Sequence, residues 1–325
     1  MPRLAFTALA ALAIAAIPAA SANAQAPAWP NKTIKFVVPQ PAGGSNDAMG
    51  RALAEPLGKQ LGQVIVVDNR PGASGAVGME AVIASPADGY TFVVASDTVA
   101  LQPVLRQGLK WNVERDFVPV TMFGTQPIVV ATYAASPYKT MKDVIAAAKA
   151  SPGKIGYATS GQGSLQHLAG EFLAQTTGVD LLHIPYKGGG QAITDLVGGQ
   201  VPVGVLGLAA VLPHVKSGRV RLLAVTTKTR SPAVPDVPTL DETVAPGYDV
   251  RQWAGLMAPA ATPPAVLARM QKEIGISLAT PALRERIESL GFEVSGISGA
   301  EFAAYLARER ARWSKVITER KLQLD

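Results

Sequence analysis

The stretch "VVPQPAGGSNDAMGRALAEPL", residues Val37–Leu57, passes from an apolar run through a glycine pair into an amphipathic helix. A buried strand, a small-residue turn and a helix, in that order, make half of a parallel α/β unit. The turn delivers the first helical amides, which have no intrahelical acceptor, to the end of the strand. Ser45, Asn46 or Asp47 is placed to cap that helix. The same amides, with the positive end of the helix dipole, also make an anion site that needs no Arg or Lys. Taken by itself, the motif is better explained by turn chemistry and a cap than by ligand binding.

The alternation continues along the chain. Strand candidates are Ile34–Pro39, Val64–Asp68, Thr91–Ala95, Ile128–Thr132, Ile155–Ala158, Leu181–Ile184, Pro202–Leu206 and Val220–Thr226. Helical patterns cover Ala48–Leu61, Ala76–Ala84, Met141–Ala150, Leu165–Thr177 and Ala192–Val197. Continuous apolar strands such as Val64-Ile65-Val66-Val67 fit a sheet covered on both faces. From Pro263 onward the pattern is almost all helix: Pro264–Ala279, Pro281–Leu290 and Ala300–Leu322. Ser298 and Glu301 form a capping box for the last of these. The Pro-rich piece "SPAVPDVPTLDETVAPGYD" reads as a loop at a domain boundary.

Two further loops carry chemistry. In "YATSGQGSLQHLAGEFL" a strand ends at Ala158, the small residues Thr159, Ser160, Gly161 and Gly163 make a loop, and Ser164 caps the next helix. Two such units can hold an anion with two carboxylates from both ends. In "HIPYKGGGQAITDLVGGQV", Tyr186 offers a hydroxyl or ring edge, Lys187 a charge, and Gly188 an accessible backbone; finishing a strand is an equal explanation. His167 reads as a packed or surface histidine before a ligand. "NRPGASGAVG" has Gly72, Gly75 and Gly78 but lacks the first spacing of a dinucleotide fingerprint. There is no phosphate-loop lysine, zinc-protease helix or nucleophile elbow. Three histidines and no cysteine argue against a transition-metal site, and no cofactor is expected. A Ser–His–Asp triad would meet only in space, and no residue singles one out.

Bulk features place the chain. Arg3, the apolar run Leu4–Ile17, Pro18 and the small-residue site Ala22-x-Ala24 read as an export signal cleaved near residue 24. No other stretch approaches the ~18 apolar residues of a membrane span. Without cysteine there is neither an acyl anchor nor a disulfide, so the expectation is a free protein of the periplasm. About 300 residues then remain, enough for two domains. The formal charge of +6 is scattered, and aromatics are 6%, which argues against nucleic acid and suits an anionic small ligand.

The ordered segments "WPNKTIKFVVPQPAGGSND", "VVDNRPGASGAVG", "ASPADGYT", "RDFVPVT", "YATSGQGSLQHLAGE", "HIPYKGGGQAITDLVGGQV", "PDVPTLDE" and "PGYDVRQWAGLMAP" span nearly the whole mature chain. Together they resemble the substrate-binding proteins of tripartite tricarboxylate transporters, the Bug or TctC-like family. The resemblance implies an α/β clamshell of the type II periplasmic binding kind, with no chemistry performed on the ligand. Domain 1 would be residues 25–127 plus 255–325, domain 2 residues 128–254, with crossings near Gln126–Val130 and Trp253–Ala258. The C-terminal helices would return to domain 1. An organic anion, a di- or tricarboxylate or an aromatic carboxylate, would lie in the cleft. It would meet Ala42, Gly43, Gly44, Ser45, Asn46 and Asp47 on one side. Thr159, Ser160, Gly161, Gly163, Ser164, Tyr186, Lys187 and Gly188 would face them, with Ser96 and Asp97 as further cleft residues. The implied partner is a membrane permease, and the protein is expected to act as a monomer. Gln191 stands where the family commonly has proline, and Ser45 and Asn46 occupy variable positions. A ligand sensor signalling through its closed form is the alternative, and a cleft hydrolase a remote one.

Overall fold

The computed structural model describes residues 29–106 and 108–319. The expected export signal, and residues 320–322 of the helix expected at Ala300–Leu322, lie outside the described residues. In chain order the elements are β1 (Ile34–Val38), α1 (Ser45–Leu61), β2 (Ile65–Asn69), a 3₁₀ turn (Ala73–Gly75), α2 (Ala76–Ile83), β3 (Thr91–Ser96), α3 (Thr98–Leu105), α4 (Val113–Asp116) and β4 (Phe117–Tyr133). There follow α5 (Met141–Ala150), β5 (Gly156–Thr159), α6 (Leu165–Thr177), β6 (Leu182–Pro185), α7 (Gly189–Val197), β7 (Val203–Gly207), α8 (Leu208–Lys216) and β8 (Val220–Val225). The chain closes with α9 (Leu240–Thr243), β9 (Arg251–Pro259), α10 (Pro264–Ala279), α11 (Pro281–Ser289), β10 (Glu293–Ser298) and α12 (Gly299–Glu319).

The strand order β2-β1-β3-β9-β4-β7-β5-β6 divides into two lobes that share β4. Residues 117–127 of β4 pair with β9 in the first lobe, where β1, β2 and β3 run parallel. From Ile128 onward β4 pairs instead with β7 and β8 in the second lobe, where β5, β6 and β7 run parallel. The change of partner along β4 falls at Pro127–Ile128. The return crossing comes earlier than the one read from sequence: the Val250 amide still bonds Thr226 of the second lobe at 2.9 Å, and Arg251 already pairs with Pro127.

Each lobe is covered on both faces, as its apolar strands require. In the first, Met49, Leu53 and Leu57 of α1 seat against Phe36 and Phe92, with Met270 and Ile274 of α10 beside them. On the other face Trp253 packs with Phe302 and Leu306 of α12. In the second, Tyr157, Leu168 and Val205 centre one core, and Leu196, Leu206 and Val211 the other.

Three expectations need correction. The segment after Pro263 is not almost all helix, because Glu293–Ser298 forms β10 against β4. The strand expected at Ile128–Thr132 begins eleven residues earlier, at Phe117, because register shifts absorb Pro119 and the region of Gly124. Nor does α12 stay on the first lobe. Trp313 and Ile317 join the second lobe's core beside Ile128, so this helix straps the two lobes together.

Candidate functional site

A cavity of about 580 Å³ lies between the lobes, at the ends of their parallel strands. Helix starts converge on it. Ser45 opens α1, Gly75 precedes α2, Thr98 opens α3, Ser164 precedes α6, Gly189 opens α7 and Gly207 precedes α8, and all six residues line the cavity. Only α6 among them has a side-chain cap, Ser164 Oγ accepting from the His167 amide at 3.2 Å. The N-cap residues of α1, α2, α3, α7 and α8 make no side-chain cap bond, although at α8 the Ala209 amide is taken by Gln126 Oε1. In α1, α3 and α7 the first amides therefore face this space without a side-chain acceptor, while in α2 the Ala76 amide bonds Ala73 O, and all five helices turn a positive dipole end toward it. The charged residues lining this space are Asp97 and Lys187.

The two loops expected as jaws do face each other here. Gly44, Ser45, Asn46, Ser96 and Asp97 line one wall; Ser160, Gly161, Ser164, Tyr186, Lys187 and Gly188 line the other. Ala42, Gly43, Asp47, Thr159 and Gly163 do not line the cavity: Ala42 and Gly43 are exposed on the loop, and Asp47, Thr159 and Gly163 are buried. The cap assigned to Ser45, Asn46 or Asp47 is not made: Gly44 is the N-cap residue. Asp47 is instead fully engaged, accepting from Gly43 N at 3.0 Å, Arg51 Nε at 3.0 Å and Asn69 Nδ2 at 2.9 Å. Burial pushes the Asp47 carboxyl up, but the bonds from Arg51, Gly43 and Asn69 outweigh it and hold it below the usual value. This carboxylate braces the loop from behind.

The second jaw has a comparable brace. His167 and His183 stack at 3.9 Å between ring centroids. His167 Nδ1 accepts from Gly163 N at 3.2 Å, and His183 Nε2 lies 2.7 Å from Thr159 Oγ1. Burial lowers the pKa of both rings; for His183, to about 3, the neighbouring His167 adds to it. The packed reading of His167 is thus the one realised. The Tyr186 hydroxyl donates to Asp195 Oδ2 at 2.7 Å, so the ring lines the cavity while the hydroxyl is engaged. Burial, then the Asp195 bond, pushes that hydroxyl up to about 12.

Other lining residues escaped the sequence. The 3₁₀ turn Ala73–Gly75, set aside with its glycine run as a failed nucleotide fingerprint, lines the first wall, and Ser74 Oγ reaches Gln162 O across the cleft at 3.1 Å. Its left-handed backbone (Ala73 φ 46°, Ser74 φ 53°, Gly75 φ 97°) is the feature the glycines signalled. At the cavity floor the hinge strands meet: Gln126 Nε2 donates to Gln252 Oε1 at 2.8 Å, and Gln126 Oε1 accepts from Ala209 N of α8 at 2.8 Å.

Two α/β lobes that share two crossing strands, with a polar cavity at the strand ends of both, define a periplasmic solute-binding protein. More narrowly, the chain belongs to the tripartite tricarboxylate transporter family receptors, whose family profile matches residues 49–322. It is 36% identical to Protein BugT of Bordetella pertussis over 314 residues, 95% of this chain and 96% of BugT. Among solved structures it is similar to R. palustris Rpa4515 with adipate, with a TM-score of 0.87, 31% identity, and coverage of 89% of this chain and 97% of that one. MatC of Rhodopseudomonas palustris with bound malate gives a TM-score of 0.83 at 28% identity, covering 89% of this chain and 100% of that one. Among the described residues no helix is long and apolar enough to cross a membrane.

Proposed function

We propose that this receptor captures a small aliphatic polycarboxylate between its lobes and presents the closed form to the membrane permease of a tripartite transporter. The observation that carries this is the convergence of six helix starts on one cavity, those of α1, α3 and α7 with no side-chain acceptor at their first amides. Backbone donors and dipoles favour anions, and donors on both walls suit a ligand with more than one carboxylate. The similar proteins whose structures hold adipate and malate point the same way. Tyr186 is the one aromatic ring lining the cavity among the described residues, which gives an aromatic acid little to stack on.

The lobes divide in this reading at 127/128 and near 250/251. The ligand-binding residues are Gly44, Ser45, Asn46, Ser96 and Asp97 on one wall. Ser160, Gly161, Ser164, Tyr186, Lys187 and Gly188 face them. Ala42, Gly43, Asp47, Thr159 and Gly163 act as supports. A ligand that touches both walls favours closure by its differential affinity for the closed form, and the ligand leaves unchanged.

A thermal-shift panel of citrate, C4 to C6 dicarboxylates, amino and hydroxy diacids and aromatic carboxylates tests this. A ligand at a hundred times its dissociation constant adds about 2.7 kcal/mol of stability. A shift with an aliphatic polycarboxylate, recovered intact, supports the proposal. No shift with any organic acid, or conversion to product, overturns it.

A further inference from the structure

One carboxylate sits in a cavity otherwise arranged for anions. Asp97 lines the first wall at the start of α3, is 4% exposed, caps no amide of α3, and leaves Oδ1 without a hydrogen-bond partner, while its carboxyl interacts with the Leu165 amide of α6 and with Gln252. Two other acceptors on the same wall are also unpartnered: Gln40 Oε1 and the Oδ1 of Asn46, itself 4% exposed. The orientation of Gln40 is fixed by its Nε2, which donates to Ser96 Oγ at 3.0 Å. A buried acceptor without a donor costs stability, and a buried carboxylate beside a bound dianion costs more still. Three unfilled oxygens on one wall therefore ask for donors on the ligand, and the charge of Asp97 asks for a cation.

Resting on the carboxylate reading above, we infer that Asp97, with Gln40 and Asn46, receives a protonated amine, so that the ligand is an amino-substituted carboxylate. Its carboxylates go to the uncapped helix starts, above all that of the second lobe at Gly189, and its ammonium faces the acceptors of the first. Burial pushes the free Asp97 carboxyl up to about 7, with Glu309 adding to the rise and the Leu165 amide and Gln252 opposing it. An arriving ammonium reverses that rise, because an opposite charge favours the ionised form. Tyr305 on α12 also lies within reach of the Asp97 charge, and Lys187 lines the same cavity from the opposite wall.

The test is titration calorimetry at pH 8, where Asp97 is ionised and an α-amine still largely protonated. Succinate is compared with aspartate, glutarate with glutamate, and adipate with 2-aminoadipate, in the wild-type protein and in Asp97→Asn. The expected result is at least tenfold tighter binding of the amino acid for one chain length, with that ratio falling toward one in Asp97→Asn. Plain acids binding as tightly as their amino counterparts at every length overturn the inference alone. So does a preference that persists in Asp97→Asn. If no acid of any pair binds, the carboxylate reading falls too.

Discussion

Replacing Gly188 by alanine separates the energy of closure from the energy of folding. Gly188, the N-cap residue of α7, sits at φ 117°, ψ 161°, a region essentially reserved for glycine. An added Cβ would stand 2.9 Å from Pro41 Cγ and 3.3 Å from its Cδ, on the opposite lobe. The backbone strain, about 1–3 kcal/mol, burdens every folded form and lowers the melting temperature without ligand. The contact with Pro41 exists only when the lobes meet. The proline ring is held to the backbone and cannot swing aside, so the lobes must part by a few tenths of an ångström. At about 1–2 kcal/mol of overpacking, the dissociation constant rises about 5- to 30-fold. Titration calorimetry with the tightest acid of the panel reads the affinity, and small-angle scattering with and without ligand reads closure. Two comparisons guard the interpretation. Gly178→Ala, at φ 65° with nothing within 4 Å of the added Cβ, should cost stability but leave affinity unchanged. Pro41→Ala in the Gly188→Ala background removes the two closest atoms and should restore most of the lost affinity. Wild-type affinity in Gly188→Ala, or no rescue by Pro41→Ala, refutes the steric argument.

Asp47→Ala strands the Gly43 amide and the Arg51 and Asn69 donors, so chemical unfolding should show a loss of about 2–4 kcal/mol, and ligand should bind about tenfold more weakly through the unbraced loop. Unchanged affinity would mean the loop holds its shape without the carboxylate. The stacked histidines set an acid limit. Both titrate lower in the fold than their unfolded value near 6.5, so native and unfolded chains bind protons alike at pH 8, and below about 6.5 the unfolded chain takes up protons that the native one refuses. Stability should fall by about 2 kcal/mol between pH 8 and pH 5 for the pair, after discounting for partial exposure, and His183→Gln should flatten that slope in urea titrations. A flat wild-type profile over this range would refute it.

The parts of this fold that declare themselves in sequence are those whose signal is local. Helices α5, α6 and α10 were read to the residue, because capping or proline starts bound an uninterrupted apolar period. The strands that were missed have non-local causes. Pro119, Gly124 and Pro127 read as breakers, yet β4 runs through them because β9 and β10 on its two sides tolerate the bulges. β9 itself contains Gly255, where a Cβ would lie 2.6 Å from the Phe302 ring, so its glycine serves a packing contact with a helix 47 residues (302 − 255) further on. The candidate site divides in the same way. Its two loops stood out because strand, small-residue turn and helix start are contiguous. Gln252 and Gly207 were invisible, since they reach the cavity only through the crossing of the hinge strands.

A carboxylate site built from helix starts has a functional consequence that an arginine site does not. A guanidinium holds its anion by a full charge that remains attractive whether the lobes are open or shut. Uncapped amides carry partial charges that fall off within a turn. Three of the helix starts here, those of α1, α2 and α3, belong to one lobe, and those of α6, α7 and α8 to the other. Opening the hinge removes half of the donors at once and returns the anion's freed oxygens to water. The exposed lysine at position 187 retains its charge but lies at the rim, where solvent screens it. Affinity is thereby tied to lobe closure rather than to any one side chain. In the function proposed above, gripping a ligand in dilute solution and surrendering it to a permease calls for that coupling, with the hinge as the moving part.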